Sequence, residues 1–348
     1  MAPRISGGDT LEIMTGWLKL AFYRLGIPPS FDSCLRFEAH DSSSPTPAIP
    51  AALPRIPPAA QCREAIATYC VTVHVLYPIL DAAVLNGLCE DVISSCSAGM
   101  LHAGRLPELL LFCLTLLLGS AGNPVIESSD LAANYITFCE SMLGHVLSWG
   151  TIDTVRVVFL LALVLREREK ITAAWPLSGV CVSVAKVLGL DRQVSQGRRN
   201  TEGAISEQVD QERRRVWWSV YSFEKLFAFE LGRPSTICDA DHNQLEPARA
   251  HRGGEETADF LHIIISLART LSEVSTRSIA ARTKEELAGR EGLENAIRFK
   301  VATTGELVLL LMQWADSLPK TLRLTSDLLC EPAEFPLAAF IAVQYHSA

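Results

Sequence analysis

The sequence predicts an all-α protein, a large multi-helix bundle of stacked antiparallel helices preceded by a Pro/Ser-rich linker. Three observations carry this prediction. From Cys62 onward, apolar residues recur at three- and four-residue spacing in segment after segment, the period of a helix with a buried face. Alternation of period two, the mark of a half-buried strand, is scarce. Asn123-Pro124, Gly150, Gly189 and Gly232-Arg233-Pro234 interrupt the pattern between segments, as helix breakers should. Of 348 residues, 49% are hydrophobic, which is ample for a large core.

The elements follow in order. Over residues 10–26, Leu11, Met14, Leu18, Phe22 and Leu25 share one helical face. Residues 41–61 (DSSSPTPAIPAALPRIPPAAQ) are dense in proline and serine, so an extended, mobile tether is expected. This divides the chain into an N-terminal helical segment (1–40), the linker (41–61) and a helical domain (62–348). Within the domain the spacing predicts helices over 62–76, 79–98, 106–118, 129–148, 151–170, 172–190, 207–231, 257–287, 291–317 and 335–346. Ser129-Asp130 and Asp153 supply start signals. Residues 191–211 and 243–256 are polar and read as mobile insertions within the one domain.

Bulk charge narrows function. The net charge is -8. A domain that grips phosphates is usually basic, so this chain is not expected to wrap nucleic acid by itself. Asp9 and Glu12 precede the first apolar run and Lys19 and Arg24 interrupt it, so no signal peptide is expected. The most apolar run, Leu109 to Leu118, is far short of the roughly 20 residues a bilayer needs. A soluble, intracellular chain with no membrane partner is expected. The ten cysteines mostly lie in apolar stretches and the closest stand seven residues apart. That pattern reads as reduced buried thiols, since cysteine metal sites need closely spaced pairs.

The sequence offers no catalytic or metal residue. Nucleophile elbow, P-loop and H-E-x-x-H patterns are missing. The eight histidines are scattered, and His74 and His145, on apolar helices, read as core or rim residues. The run Arg166 to Lys170 alternates in sign, as at a solvated helix end. Glu212-Arg213-Arg214-Arg215 opens a helix and favours salt bridges, at the surface or within the domain, over phosphate contact.

The most informative stretch is Glu212 to Asp241, ERRRVWWSVYSFEKLFAFELGRPSTICDAD. Val220, Phe223, Phe227 and Leu231 fall on one helical face, with Trp217, Tyr221 and Glu224 beside it. This is a broad-faced core helix. Gly232 supplies the positive φ that ends it and Pro234 forbids resumption. Arg233 sits where a cation can hold carbonyls or a carboxylate.

The same stretch resembles the fungal-specific transcription factor domain, the middle homology region of zinc binuclear cluster regulators. The signature positions read Arg214, Arg215, Trp217, Trp218, Tyr221, Glu224, Gly232, Arg233, Pro234, Asp239 and Asp241. The family more often has Asp at Glu224. Other segments fall in the family's order: Ala67 to Leu80, with His74 displaced; Ala174 to Leu190, including Trp175 and Gly179; and Trp314 to Leu322. The family's usual His stands as Asp191 here. The resemblance covers residues 62–346. Phe335 to Ala348 resembles only the start of the family's next helix, so a C-terminally truncated domain is expected.

The resemblance implies a nuclear regulator of RNA polymerase II genes, including a secondary-metabolite or catabolic gene cluster. It implies a helical domain that gates activation, with a small-molecule effector in a pocket of unknown place. DNA would be reached only through a missing or partner domain, and the partner would be a second copy or another zinc-cluster regulator. Zinc is a cofactor only with an N-terminal cluster that this stretch lacks. The alternative is a stand-alone helical module for small-molecule binding or dimerisation. Trp217, Trp218, Phe227 and Trp314 are its candidate lining, although core packing accounts for each. An enzyme ranks last, because no acid–base pair or nucleophile with a partner can be named.

Overall fold

The computed structural model describes residues 21, 24–26, 54–97, 105–120, 129–193, 207–248, 260–288, 293–319, 322 and 335–347. Most of the helix expected over 10–26, residues 41–53 of the tether, and much of both polar insertions lie outside these. Eleven helices are described: α1 (Ala59–Thr72), α2 (Ala82–Ser97), α3 (Leu106–Leu118), α4 (Ser129–Ser141), α5 (Leu143–Trp149) and α6 (Ile152–Glu167), then α7 (Ile171–Val187), α8 (Glu207–Glu230), α9 (Phe260–Ala288), α10 (Leu293–Asp316) and α11 (Phe335–Ser347). No strand occurs among the described residues, so the all-α prediction holds.

Helix α6 is the hub. Every residue from Thr154 to Leu165 is buried. It packs against α3, α4, α5, α7 and α8, and α8 in turn packs on α7 and α9. A helix apolar all round can only sit inside a larger protein, and this one does. Helix α3 has the same character, with ten of its residues buried, Pro107 in its first turn and Glu108 near its positive end. It ends against α1 at Gly119. A Cβ there would stand 1.9 Å from the Ala65 carbonyl oxygen, so glycine is required by close approach.

Several boundaries differ from the sequence reading. Helix α1 begins at Ala59, inside the Pro/Ser-rich stretch, and Arg55 accepts a hydrogen bond on its carbonyl from the Tyr135 hydroxyl at 2.7 Å. It stops at Thr72, where the Val73 and His74 N–H groups both donate to the Tyr69 carbonyl at 3.0 Å. The expected helix over 79–98 starts at Ala82, where Asp81 Oδ1 accepts the Ala83 N–H at 2.8 Å. The single helix expected over 129–148 is two. At the break the Met142 N–H is divided between the Phe138 and Cys139 carbonyls, and the Ser141 hydroxyl competes for Phe138.

Candidate functional site

Helix α8 is buried on nearly all sides rather than on one broad face. Trp217, Trp218, Tyr221, Glu224 and Phe227 all have at most 1% of their surface exposed. It stops where expected: Gly232 has φ of 61°, which a β-branched residue resists. From there residues 232–248 run back along α8 as a strap, with a single 3-10 turn at Asp239–Asp241.

One face of α8 holds the strap. Arg214, Trp218, Tyr221 and Lys225 are spaced by four, three and four residues, which aligns them on one side of a helix. Arg214 pairs with buried Asp210 and also reaches the Glu246 carbonyl at 3.5 Å. The Trp218 indole donates to the Leu245 carbonyl at 2.8 Å, and the Arg269 guanidinium from α9 lies 4.7 Å from its ring centre. The Tyr221 hydroxyl donates to Asp239 at 2.7 Å. Lys225 donates to the Ile237 carbonyl at 2.8 Å, to Ser272 of α9 at 3.0 Å and to Asp239 at 3.3 Å. Beside this row Glu224 accepts from the Ser235 hydroxyl at 2.6 Å, the Thr236 N–H at 2.6 Å and the Thr236 hydroxyl at 2.9 Å.

The electrostatics follow from these contacts. His242, Tyr221 and Lys225 together hold the Asp239 carboxyl well below the usual carboxylate range. The His242 ring stands 3.7 Å from Asp239, an electrostatic rather than hydrogen-bonding distance, and packs edge-on to Trp217, Trp218 and Tyr221. Asp191, the position of the family's histidine, is buried, and that burial pushes its carboxyl upward. The strap is tied to the same corner, since Gln244 donates to the Leu190 and Arg192 carbonyls at 2.8 and 3.0 Å.

Of the surface and intradomain salt bridges expected for the basic run, the structure shows intradomain ones. Glu212 pairs with buried Arg156 of α6, and Arg213 donates to the Gly189 carbonyl at 2.7 Å beyond the end of α7. Arg215 is half-buried near His74, whose imidazole burial holds down. Arg233 does not hold a carboxylate among the described residues. Its guanidinium lies 5.7 Å from the Trp175 ring centre, and Trp175 meets Phe227 edge to face at 5.7 Å. Pro234 opens the strap and Gly179 lies on α7, apart from the latched face. Trp314 donates to Ser266 at 2.8 Å and stacks on Tyr345. Asp210, Lys225, Ser235, Thr236, His242 and Gln244 escaped the sequence reading. Only Asp210 and Lys225 left a signal, as polar residues on an otherwise apolar helix; the other four lie in the strap, outside any helical period.

Among the described residues no group of three or more histidines, cysteines or carboxylates converges. Burial pushes the Cys62 thiol up to about 12, and raises Cys139 and Cys181 as well.

The strap, its latched face and the hub helix lie within one region of recognised similarity. The model of the fungal specific transcription factor domain matches residues 66–277, more than half of the chain. The chain belongs to this family. The fungal transcription factor domain here is similar over 223 residues, at 25% identity, to the negative regulator of pleiotropic drug resistance STB5 of Candida glabrata, covering 61% of this chain and 22% of that protein. It is 30% identical over 116 residues to Protein STB5 of Saccharomyces cerevisiae, covering 33% and 15%. It is 25% identical over 215 residues to the transcription factor FBD3 of Gibberella moniliformis, covering 60% and 27%. The chain therefore spans about a fifth of the length of the curated relatives it matches. No solved structure matches it significantly. Within the fungal transcription factor domain, Arg214, Trp218, Tyr221, Glu224 and Lys225 hold the strap from α8, with Asp239 as a shared anchor.

Proposed function

We propose that the chain is the regulatory part of a nuclear transcription regulator of RNA polymerase II genes and carries no catalysis of its own. The match over 66–277 carries this reading. The net charge of -8 and the engagement of Arg213 and Arg214 within the domain support a division of labour. Base reading belongs to a zinc cluster on another segment or on a partner chain, because DNA binding needs a basic face. A second copy or another zinc-cluster regulator is the proposed partner, and control of a secondary-metabolite or catabolic gene cluster belongs to the same proposal. No helix among the described residues is long and apolar enough to cross a membrane, which fits a nuclear place.

A reporter assay tests the reading. The chain is fused to a heterologous DNA-binding domain in yeast, and transcription is compared with that domain alone. A change of several-fold in either direction is expected, lost in a Trp218→Ala variant that strips the strap and costs about 3–5 kcal/mol of stability. A well-expressed fusion that leaves transcription unchanged overturns it. A gel shift on the isolated chain is expected to show no sequence-specific binding.

A small-molecule module is the second reading, and one observation favours it. Three helix ends and α11 enclose an open cleft of about 700 Å³. That lies within the usual range for ligand sites.

A further inference from the structure

The cleft is built from parts of the fold that the strap does not use. Helices α1, α3 and α6 all end at it, and α11 closes the fourth side through Phe340, Val343 and Gln344. Its walls are mainly apolar, from Leu76, Leu118, Leu163 and Phe340.

Two largely buried residues turn polar atoms toward it. Tyr77 is 4% exposed and Gln344 7% exposed. Neither side chain has a hydrogen-bond partner among the described residues. Tyr77 presses its ring edge-on to Phe159 and Phe223, so its position is set by the core. Their polar atoms are not among the buried ones that lack a partner, so they open onto the cleft, where a ligand oxygen can replace the water they meet.

The charge at the rim selects the partner's chemistry. Arg166 is engaged by Glu230 and Glu167. Arg168 also lines the cleft, half-buried, and has no carboxylate partner among the described residues. The backbone beside it is held tightly. Glu169 takes φ of 58° and closes the end of α6 through its N–H to the Arg166 carbonyl at 2.9 Å. A non-glycine residue in that region is strained and fixes its neighbours.

We propose that this cleft binds an apolar organic acid. The apolar body lies against Leu76, Leu118, Leu163 and Phe340, an oxygen reaches Tyr77 and Gln344, and the carboxylate meets Arg168. If the chain is the regulator proposed above, this is its effector site, and only that consequence rests on the regulator reading.

Isothermal calorimetry on the full chain tests the site with lauric acid, 1-dodecanol and dodecylamine, each below its micellar concentration. Saturable one-to-one binding of lauric acid is expected, with the amine at least about tenfold weaker, the worth of one charge-assisted hydrogen bond. Val343→Trp, at an exposed position on the cleft wall, is expected to abolish binding while leaving the melting curve unchanged. Arg168→Ala is expected to bring the acid and the alcohol to equal affinity, and Tyr77→Phe to weaken both. Absence of saturable binding, or binding that all three variants leave unchanged, overturns the proposal. The readout is independent of transcription, so an inactive reporter with intact binding counts against the regulator reading alone.

Discussion

Glu224 has no exposed surface and no cation in hydrogen-bonding contact among the described residues. A buried carboxyl group is tolerated only when hydrogen bonds replace its water. Those bonds come from Ser235 and Thr236, 11 and 12 residues further along the chain. Glu224→Ala is therefore expected to destabilise by about 3 kcal/mol, since it strands buried donors. Glu224→Asp, the residue the family more often carries, is expected to cost about 1–2 kcal/mol, because a side chain one methylene shorter reaches the same strap poorly. Urea denaturation measures both, and a neutral Glu224→Ala would show that the strap is held elsewhere. The placement of Glu224 on a core helix was legible in the sequence; its partners were not. Periodicity reports which face of a helix is buried, and it is silent on a loop that folds back. Arg233 illustrates the same limit. Its position at the helix end was legible, while its seat over Trp175 depends on how α7 packs against α8.

At the scale of elements, the strap corrects the reading of residues 243–256 as a mobile insertion. Residues 243–248 are fixed, with Gln244 buried, Leu245 accepting from Trp218 and Ala248 donating to Gln211. Composition misled here because polar residues satisfy buried carbonyls and indoles as readily as they face water. The strap also carries a pH dependence. The folded pKa of Asp239 is depressed, so the folded state binds fewer protons than the unfolded chain at acid pH. Its contribution is present above the unfolded carboxylate value of about 4 and is lost as pH falls through the folded value. Asp239 is more than half exposed, so screening keeps the effect modest. Thermal melts between pH 7 and pH 2 should show a shallower acid loss in Asp239→Asn than in the unaltered chain. Identical slopes would mean that another carboxylate governs the acid limb. Helix boundaries shifted for related reasons: Asp81 and Ser141 each redirect backbone hydrogen bonds that the apolar period alone does not register.

At the scale of the whole molecule, one contiguous core runs from Cys62 to Ile341 through α6. Cys62, Cys139 and Cys181 are packed in it, and burial raises their thiol pKa values, so the melting temperature is expected to be unchanged by a metal chelator. A drop of several degrees with chelator would reveal a structural metal and overturn that expectation. The sequence by itself determined the helical class, ten helical segments, the glycine stop at 232 and the family, because helical periodicity, backbone restriction and motif order are local properties of the chain. Tertiary structure decided the rest. Only packing brought Asp239 to Tyr221 and Lys225, turned an arginine-rich run inward, seated a polar loop on Trp218, and left Tyr77 and Gln344 facing one cleft between helix ends. Each of these joins residues far apart in the chain, and such pairings are set by how whole helices stack against one another.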